Sequence, residues 1–158
     1  MSIGLQSGDE LRELYRELIL DHARSPRHFG KLSNATHTAE GINPLCGDKL
    51  KIYFEIDDAG RIADAGFEGS GCAISVASAS LLTDTVIGLD TDAALDYFRA
   101  IVATLASSET DAGTSIDLGK LRALEGVKDF PSRVKCATLA WHALKSAIEQ
   151  SLEPVSTE

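Results

Sequence analysis

The sequence predicts an α+β domain: a small antiparallel sheet of about three strands with helices packed on it. Three observations carry that expectation. Apolar residues recur at helical spacing near the start of the chain. They then alternate with polar ones on either side of a turn signal. After that come long stretches of small and apolar residues that read as helices. The order helix, strands, helices is that of helices gathered on a sheet rather than of a repeated β-α-β pattern.

The first helix is announced by Ser7-Gly-Asp-Glu10, which has the S-x-x-E form of a capping box. Leu11, Leu14, Tyr15, Leu18, Ile19 and His22 then form an apolar stripe, with Arg12, Glu13, Arg16 and Glu17 off it. The helix is expected to end before Ser25-Pro26, because a residue preceding proline resists the helical conformation. Residues 31–44 are polar and loop-rich, with a short strand around 37–40. Leu50, Ile52, Phe54 and Ile56 alternate with Lys49, Lys51, Tyr53 and Glu55, the pattern of a half-buried strand. Asp57-Asp-Ala-Gly60 is a turn, and residues 62–67 are the return strand of a hairpin.

Gly69-Ser-Gly71 breaks the strand pattern. From Cys72 to Ile87 small apolar residues mix with Ser and Thr, which suits a helix buried on most sides. Ala94, Leu95, Phe98, Ile101, Val102 and Leu105 mark another amphipathic helix. Residues 106–126 read as loop with a short helix around 118–124, and Pro131-Ser132 starts the last helix. Cys136, Ala140, Ala143, Leu144 and Ala147 share one of its faces. Residues 1–150 are expected to form a single domain and 151–158 a C-terminal tail.

Composition narrows the function classes. At 158 residues, 44% hydrophobic and 25% charged, the chain is long enough to bury a core without disulfides. A net charge of −9 argues against a nonspecific nucleic-acid binder, which would normally be basic. No apolar run approaches the roughly 20 residues of a membrane span. The first ten residues do not read as a signal peptide, and the expectation is a cytoplasmic protein. Acid is concentrated in residues 57–130, with 13 Asp/Glu against 5 Lys/Arg, which suits a solvated surface or a docking face for a basic partner.

Three cysteines, Cys46, Cys72 and Cys136, leave an odd thiol after any one disulfide. In a reducing compartment such a set reads as buried core thiols, a metal site or a reactive sulfur. Cys46-Gly47-Asp48 puts a thiol and a carboxylate two positions apart at a loop-to-strand junction. Cys72 and Cys136 fall at expected helix starts, where the helix dipole stabilises a thiolate. Three thiolates and one carboxylate match the tetrahedral count of zinc, with an excess of negative charge that would make the sulfurs nucleophilic. There is no C-x-x-C pair, so spacing alone leaves the shared site and the unrelated core thiols both open. His22 reads as a core or turn histidine, and His28 and His37 as exposed loop residues. His142 lies on another face of the last helix from Cys136. Trp141 and the serines of residues 75–80 read as packing.

Several segments together resemble the IscU/NifU-like family of iron–sulfur cluster assembly proteins. They are Leu14-Tyr-Arg-Glu-Leu-Ile-Leu-Asp-His22, Ser25-Pro-Arg27, Asn43-Pro-Leu-Cys-Gly-Asp48, Phe67-Glu-Gly-Ser-Gly-Cys72, Ser75-Val-Ala-Ser-Ala-Ser80 and Lys135-Cys-Ala-Thr-Leu-Ala-Trp141. The resemblance runs from about Leu14 to Leu144, and within the family it is similar to the SufU type. IscU-like scaffolds carry a histidine immediately before the last cysteine, where this chain has Lys135. SufU-like proteins carry an insertion before the last helix, and residues of about 104–126 look like it, with residues 115–121 and Phe130-Pro-Ser-Arg133 also resembling that pattern. One departure is Ser25-Pro-Arg-His28, where the family has an asparagine-rich stretch.

The resemblance implies an IscU/SufU-like fold and a metal site made of Cys46, Asp48, Cys72 and Cys136 holding one Zn²⁺. It implies a zinc-dependent sulfurtransferase that acts as the partner of a SufS-type cysteine desulfurase rather than as a free-standing enzyme. A histidine of the desulfurase would take a place on zinc, freeing Cys46 as the sulfur acceptor, and sulfur would pass on to downstream Fe–S scaffold proteins. Arg133, three positions before Cys136, is a candidate contact for Asp48, the persulfide or the desulfurase, or else a surface arginine. The alternative implied by the same family is a scaffold on which an Fe–S cluster is assembled and handed on.

Overall fold

A computed structural model describes residues 7–106, 117–150 and 154–157. In chain order the elements are α1 (Ser7–Arg24), β1 (His37–Asn43), β2 (Asp48–Ile56), β3 (Ile62–Ser70), α2 (Ala73–Val86), α3 (Thr91–Ala106), a 3-10 helix (Gly119–Val127), α4 (Pro131–Ile148) and β4 (Val155–Ser156). The expected α+β class and its antiparallel strands are present. The sheet order is β3-β2-β1-β4, with β1, β2 and β3 antiparallel and β4 parallel to β1.

The fourth strand is a difference from the expected three. Within the segment read as a tail, Val155 and Ser156 pair with Gly41 and Ile42 of β1, and Thr157 N–H donates to Ile42 O at 3.2 Å. Two residues carry no readable strand period, so only the open edge of β1 makes them a strand.

The β2–β3 hairpin turns where Asp57-Asp-Ala-Gly60 signals it. Asp57 Oδ1 accepts from Ala59 and Arg61 N–H, each at 2.9 Å, and Gly60 takes the positive φ of 84° that closes the turn. Leu50, Ile52 and Phe54 of β2 and Phe67 of β3 face the helices and are buried. On the opposite face Tyr53 donates a hydrogen bond to Glu68 across the β2–β3 pair.

Helix α4 lies on β1 and β2, α2 packs on β3 and α4, α1 covers α2, and α3 covers α4. Small residues permit the close approaches. An added Cβ on Gly41 of β1 would stand 3.0 Å from the Leu139 side chain of α4. Ser78 Oγ donates to Ala137 O at 2.5 Å and accepts from Trp141 Nε1 at 3.1 Å, pinning α2 to α4. Trp141 and the buried serines of α2 are therefore packing residues, as their composition suggests.

Helix α1 differs from its expected stripe. Ile19 and His22 are buried, but Leu11 and Leu14 at its start are exposed. Leu11 stands over an open groove between α1, the start of α2 and the 3-10 helix rather than in the core.

The segment of about 104–126 divides. Residues 107–116 lie outside the described residues. The 3-10 helix that follows is a core element, with Leu121 and Leu124 buried against α1, α2, α3 and α4. Among the described residues no helix is long and apolar enough to cross a membrane.

Candidate metal centre

The centre forms where three backbone devices meet at one end of the sheet. The first is the β1–β2 hairpin. Its register ends on the pair Asn43–Asp48, so Pro44, Leu45, Cys46 and Gly47 make the connection. Cys46 N–H donates to Asn43 O at 3.3 Å and Gly47 takes a positive φ of 73°, which turns the chain back into β2. Cys46 is thereby exposed at the hairpin tip, while Asp48, the first residue of β2, is 1% exposed.

The second device is the start of α2. Cys72 is its N-cap residue, and its Sγ accepts from Ser75 N–H at 3.5 Å. Its own N–H donates to Asp48 Oδ1 at 2.8 Å, so the buried carboxylate is tied to a helix N-terminus. Gly71 makes room for this: a Cβ there would lie 2.6 Å from Asp48 Oδ1.

The third is α4, which brings Cys136 beneath the hairpin. Cys136 is fully buried, and its Sγ lies 3.2 Å from Cys46 Sγ. It sits in the second turn of a helix that begins at Pro131, not in the first turn as expected. Burial pushes its thiol far above the ordinary cysteine range, with Cys46, Asp48 and Cys72 adding to the effect. The helix dipole that was expected to lower it does not reach that far into the helix.

The ligand atoms of Cys46, Asp48 and Cys136 all lie within 4.8 Å of one another. Cys72 is beside them, near enough to act on the Cys136 thiol, but its sulfur is turned to the cap of α2 and stands outside that close set. The four residues named from the sequence therefore converge on one site, three in immediate contact range and one at its rim.

The donors suit a soft divalent metal. Sulfur and carboxylate ligands are those of zinc, and thiolates also suit iron. Asp48 is a buried carboxylate with no ion-pair partner among the described residues, although buried charges are normally paired or bound to metal. A cation held by Asp48 and the neighbouring sulfurs would supply the missing charge.

The other singled-out residues fall elsewhere. His22 is buried, with Nδ1 2.7 Å from Ser80 Oγ. His28 is exposed, whereas His37 is half-buried beside Thr36 Oγ1 rather than exposed. His142 meets the Phe98 ring edge-on, away from Cys136. Lys135 is half-buried. Arg133 is exposed and lines a groove of about 610 Å³ between α1, the start of α2 and the 3-10 helix, together with Tyr15, Ile74 and Val127. Asp48 takes its hydrogen bonds from Cys72 and Asn43, not from Arg133.

Two residues of the centre carry no role in the sequence reading. Gly71 reads in the sequence only as part of the break in the strand pattern, and its closeness to Asp48 arises in space. Asn43 stood in a recognised segment without a function. It is fully buried, and its Nδ2 is 3.5 Å from both Asp48 Oδ2 and Cys136 Sγ.

The chain is similar to several known proteins. The sequence pattern described as the NifU-like N-terminal domain matches residues 14–137. A Bacillus subtilis (strain 168) protein named zinc-dependent sulfurtransferase SufU is 41% identical over 138 residues, covering 87% of this chain and 91% of that one. A Streptococcus pyogenes serotype M1 protein named iron–sulfur cluster assembly scaffold protein IscU is 39% identical over 142 residues, covering 90% and 87%. Among solved structures, one described as a putative iron–sulfur cluster assembly scaffold protein for the SUF system from Fervidobacterium islandicum AW-1 superposes with a TM-score of 0.73. It is 33% identical and covers 84% of this chain and 94% of its own.

Proposed function

Because the chain belongs to the family of NifU-like N-terminal domains, we propose that it serves iron–sulfur cluster assembly as a sulfur acceptor. In this reading it takes persulfide sulfur from a SufS-type cysteine desulfurase onto Cys46. The observation that carries the proposal is the pairing of an exposed Cys46 with a fully buried Cys136, their sulfurs 3.2 Å apart beside a buried carboxylate. One thiol can meet a partner while the other stays anchored.

The proposed ligands are Cys46, Asp48, Cys72 and Cys136. A bound zinc ion would keep these sulfurs as thiolates near neutral pH, where Cys136 alone would be a thiol. Cys46 is the acceptor because a hairpin tip can swing out at less cost than a residue within a helix. Cys136 is held by α4, and Cys72 by the cap of α2. The Cys46 thiolate attacks the terminal sulfur of the desulfurase persulfide. A new S–S bond forms to Cys46, the donor's S–S bond breaks, and the donor cysteine leaves as a thiolate. The sulfur changes carrier without net oxidation, so no oxidant is needed. Arg133, exposed beside the entrance of α2, is proposed as a contact for the desulfurase. Cys46, Cys72 and Cys136 are free thiols, as the chemistry requires, and a reducing compartment such as the cytoplasm fits them.

A second reading is an IscU-like scaffold that carries an Fe–S cluster as cargo on the same donors. The near-equal identities, 39% to a protein named as a scaffold and 41% to one named as a sulfurtransferase, favour keeping it. Against it stands Lys135, an ammonium and a poor metal ligand, at the position where the resemblance gives scaffolds a histidine.

The deciding experiment measures alanine release by a SufS-type desulfurase with this protein either zinc-loaded or stripped of zinc. Strong stimulation by the zinc form alone supports the relay. Stimulation that does not depend on zinc, together with an Fe–S cluster formed on the chain from iron and sulfide, supports the scaffold.

A further inference from the structure

We propose that Asn43 is a positioning residue of the metal centre, its amide N–H groups bridging Asp48 and Cys136 so that both present their donor atoms to one ion. The inference rests on the reading of this site as a metal centre and adds a residue that donates no ligand.

Asn43 is the last residue of β1 and stands opposite Asp48 in the β1–β2 register. It is fully buried. Its Nδ2 lies 3.5 Å from Asp48 Oδ2 and 3.5 Å from Cys136 Sγ, so two N–H groups face two acceptors that come from different parts of the chain. The contact to sulfur has an ordinary length for so large an acceptor; the contact to oxygen is long. The neighbours settle the amide's orientation, because the reverse would set Oδ1 against a carboxylate.

The other end of the same amide explains why the residue is there. Asn43 Oδ1 is buried and has no hydrogen-bond partner among the described residues. An unpaired buried acceptor is unfavourable, and an apolar side chain of similar shape would avoid it. The polar residue gains only through its donor end, and that end faces the metal centre. Without it Asp48 keeps, among the described residues, the hydrogen bond from Cys72 N–H at 2.8 Å, and the Cys136 sulfur loses its N–H donor.

Partners that orient metal ligands typically contribute about 10–100-fold in affinity. The test uses the full chain with Asn43→Leu, close in shape and without donors, and Asn43→Ala as the variant that relieves any crowding. Zinc affinity is read by competition with a chelator. Cobalt substitution reads the sulfur-to-metal charge-transfer band, and melting of the metal-free protein reads stability.

The expected result is zinc binding about 10–100-fold weaker than wild type, with the cobalt band moved to lower energy because the sulfur has lost a hydrogen-bond donor. Unchanged zinc affinity and an unchanged band in whichever variant folds overturn the inference, even if the metal-free melting temperature falls. Cys136→Ser separates the two levels. If it abolishes zinc binding while Asn43→Leu and Asn43→Ala do not weaken it, the metal centre stands and the role of Asn43 falls. If wild type and Cys136→Ser bind zinc equally weakly, both fall.

Discussion

Cys46 and Cys136 are 90 positions apart in the chain, yet their sulfurs stand 3.2 Å from each other, one exposed and the other buried. That asymmetry divides the work between them and yields the first prediction. Cys46→Ala should abolish sulfur acceptance while leaving the stability of the metal-free protein within about 0.5 kcal/mol, as for most exposed positions. Transfer of labelled sulfur to the variant at the wild-type level would show that another thiol is the acceptor.

Asp48 has two tasks that substitution can separate. Asp48→Ala removes both the charge and the acceptor of the Cys72 N–H, and should cost about 1–3 kcal/mol of metal-free stability in addition to zinc affinity. Asp48→Asn keeps an acceptor oxygen, so it should weaken zinc binding with less effect on stability. Chemical denaturation with and without zinc checks both. Equal stability loss in the two variants would show that the charge, not the hydrogen bond, holds the carboxylate.

Two glycines beside the site should respond differently. A Cβ on Gly71 meets Asp48 Oδ1 at 2.6 Å, so Gly71→Ala must displace the carboxylate and lower zinc affinity. A Cβ on Gly47 meets nothing within 4 Å, but its φ of 73° is left-handed, so Gly47→Ala should cost about 1–2 kcal/mol of local strain. Zinc titration of both variants would contradict this if Gly71→Ala binds as wild type does.

Acid should weaken the metal-free protein before its carboxylates titrate. Burial first, then the charges of Arg27 and Lys120, hold His22 below its ordinary 6.5; burial, then Lys145, does the same to His142. The unfolded chain therefore binds protons at a pH where the folded one does not. The stabilisation is complete above pH 6.5 and is lost as pH falls toward the depressed folded values. Melting temperature should fall as pH drops below 6.5, and less steeply in His22→Gln. The same slope in wild type and in His22→Gln would remove His22 from the account.

The 3-10 helix should behave as core rather than as a removable insertion. Leu124 is fully buried there, so Leu124→Ala should cost about 2–5 kcal/mol. A change below 1 kcal/mol in denaturant unfolding would mean that Gly119–Val127 is peripheral to the fold.

The sequence by itself determined the α+β class, the main helices and the β2–β3 hairpin, while the four candidate ligands came from a family resemblance carried by several motifs. The elements rest on local signals: side-chain period, a turn motif and a proline that ends α1. The tertiary structure alone decided the rest. A two-residue strand becomes one only against the open edge of β1. Leu11 and Leu14 lie on the apolar stripe of α1 yet are exposed, because periodicity shows a face and not what packs against it. Cys136 lies a turn deeper in α4 than expected, so burial rather than the helix dipole governs its thiol. Asn43 and Gly71 acquire their meaning from a carboxylate that reaches them across a hairpin and at a helix start. Contacts of that kind are set by packing, which brings distant parts of the chain within ångströms and leaves no periodic trace along it.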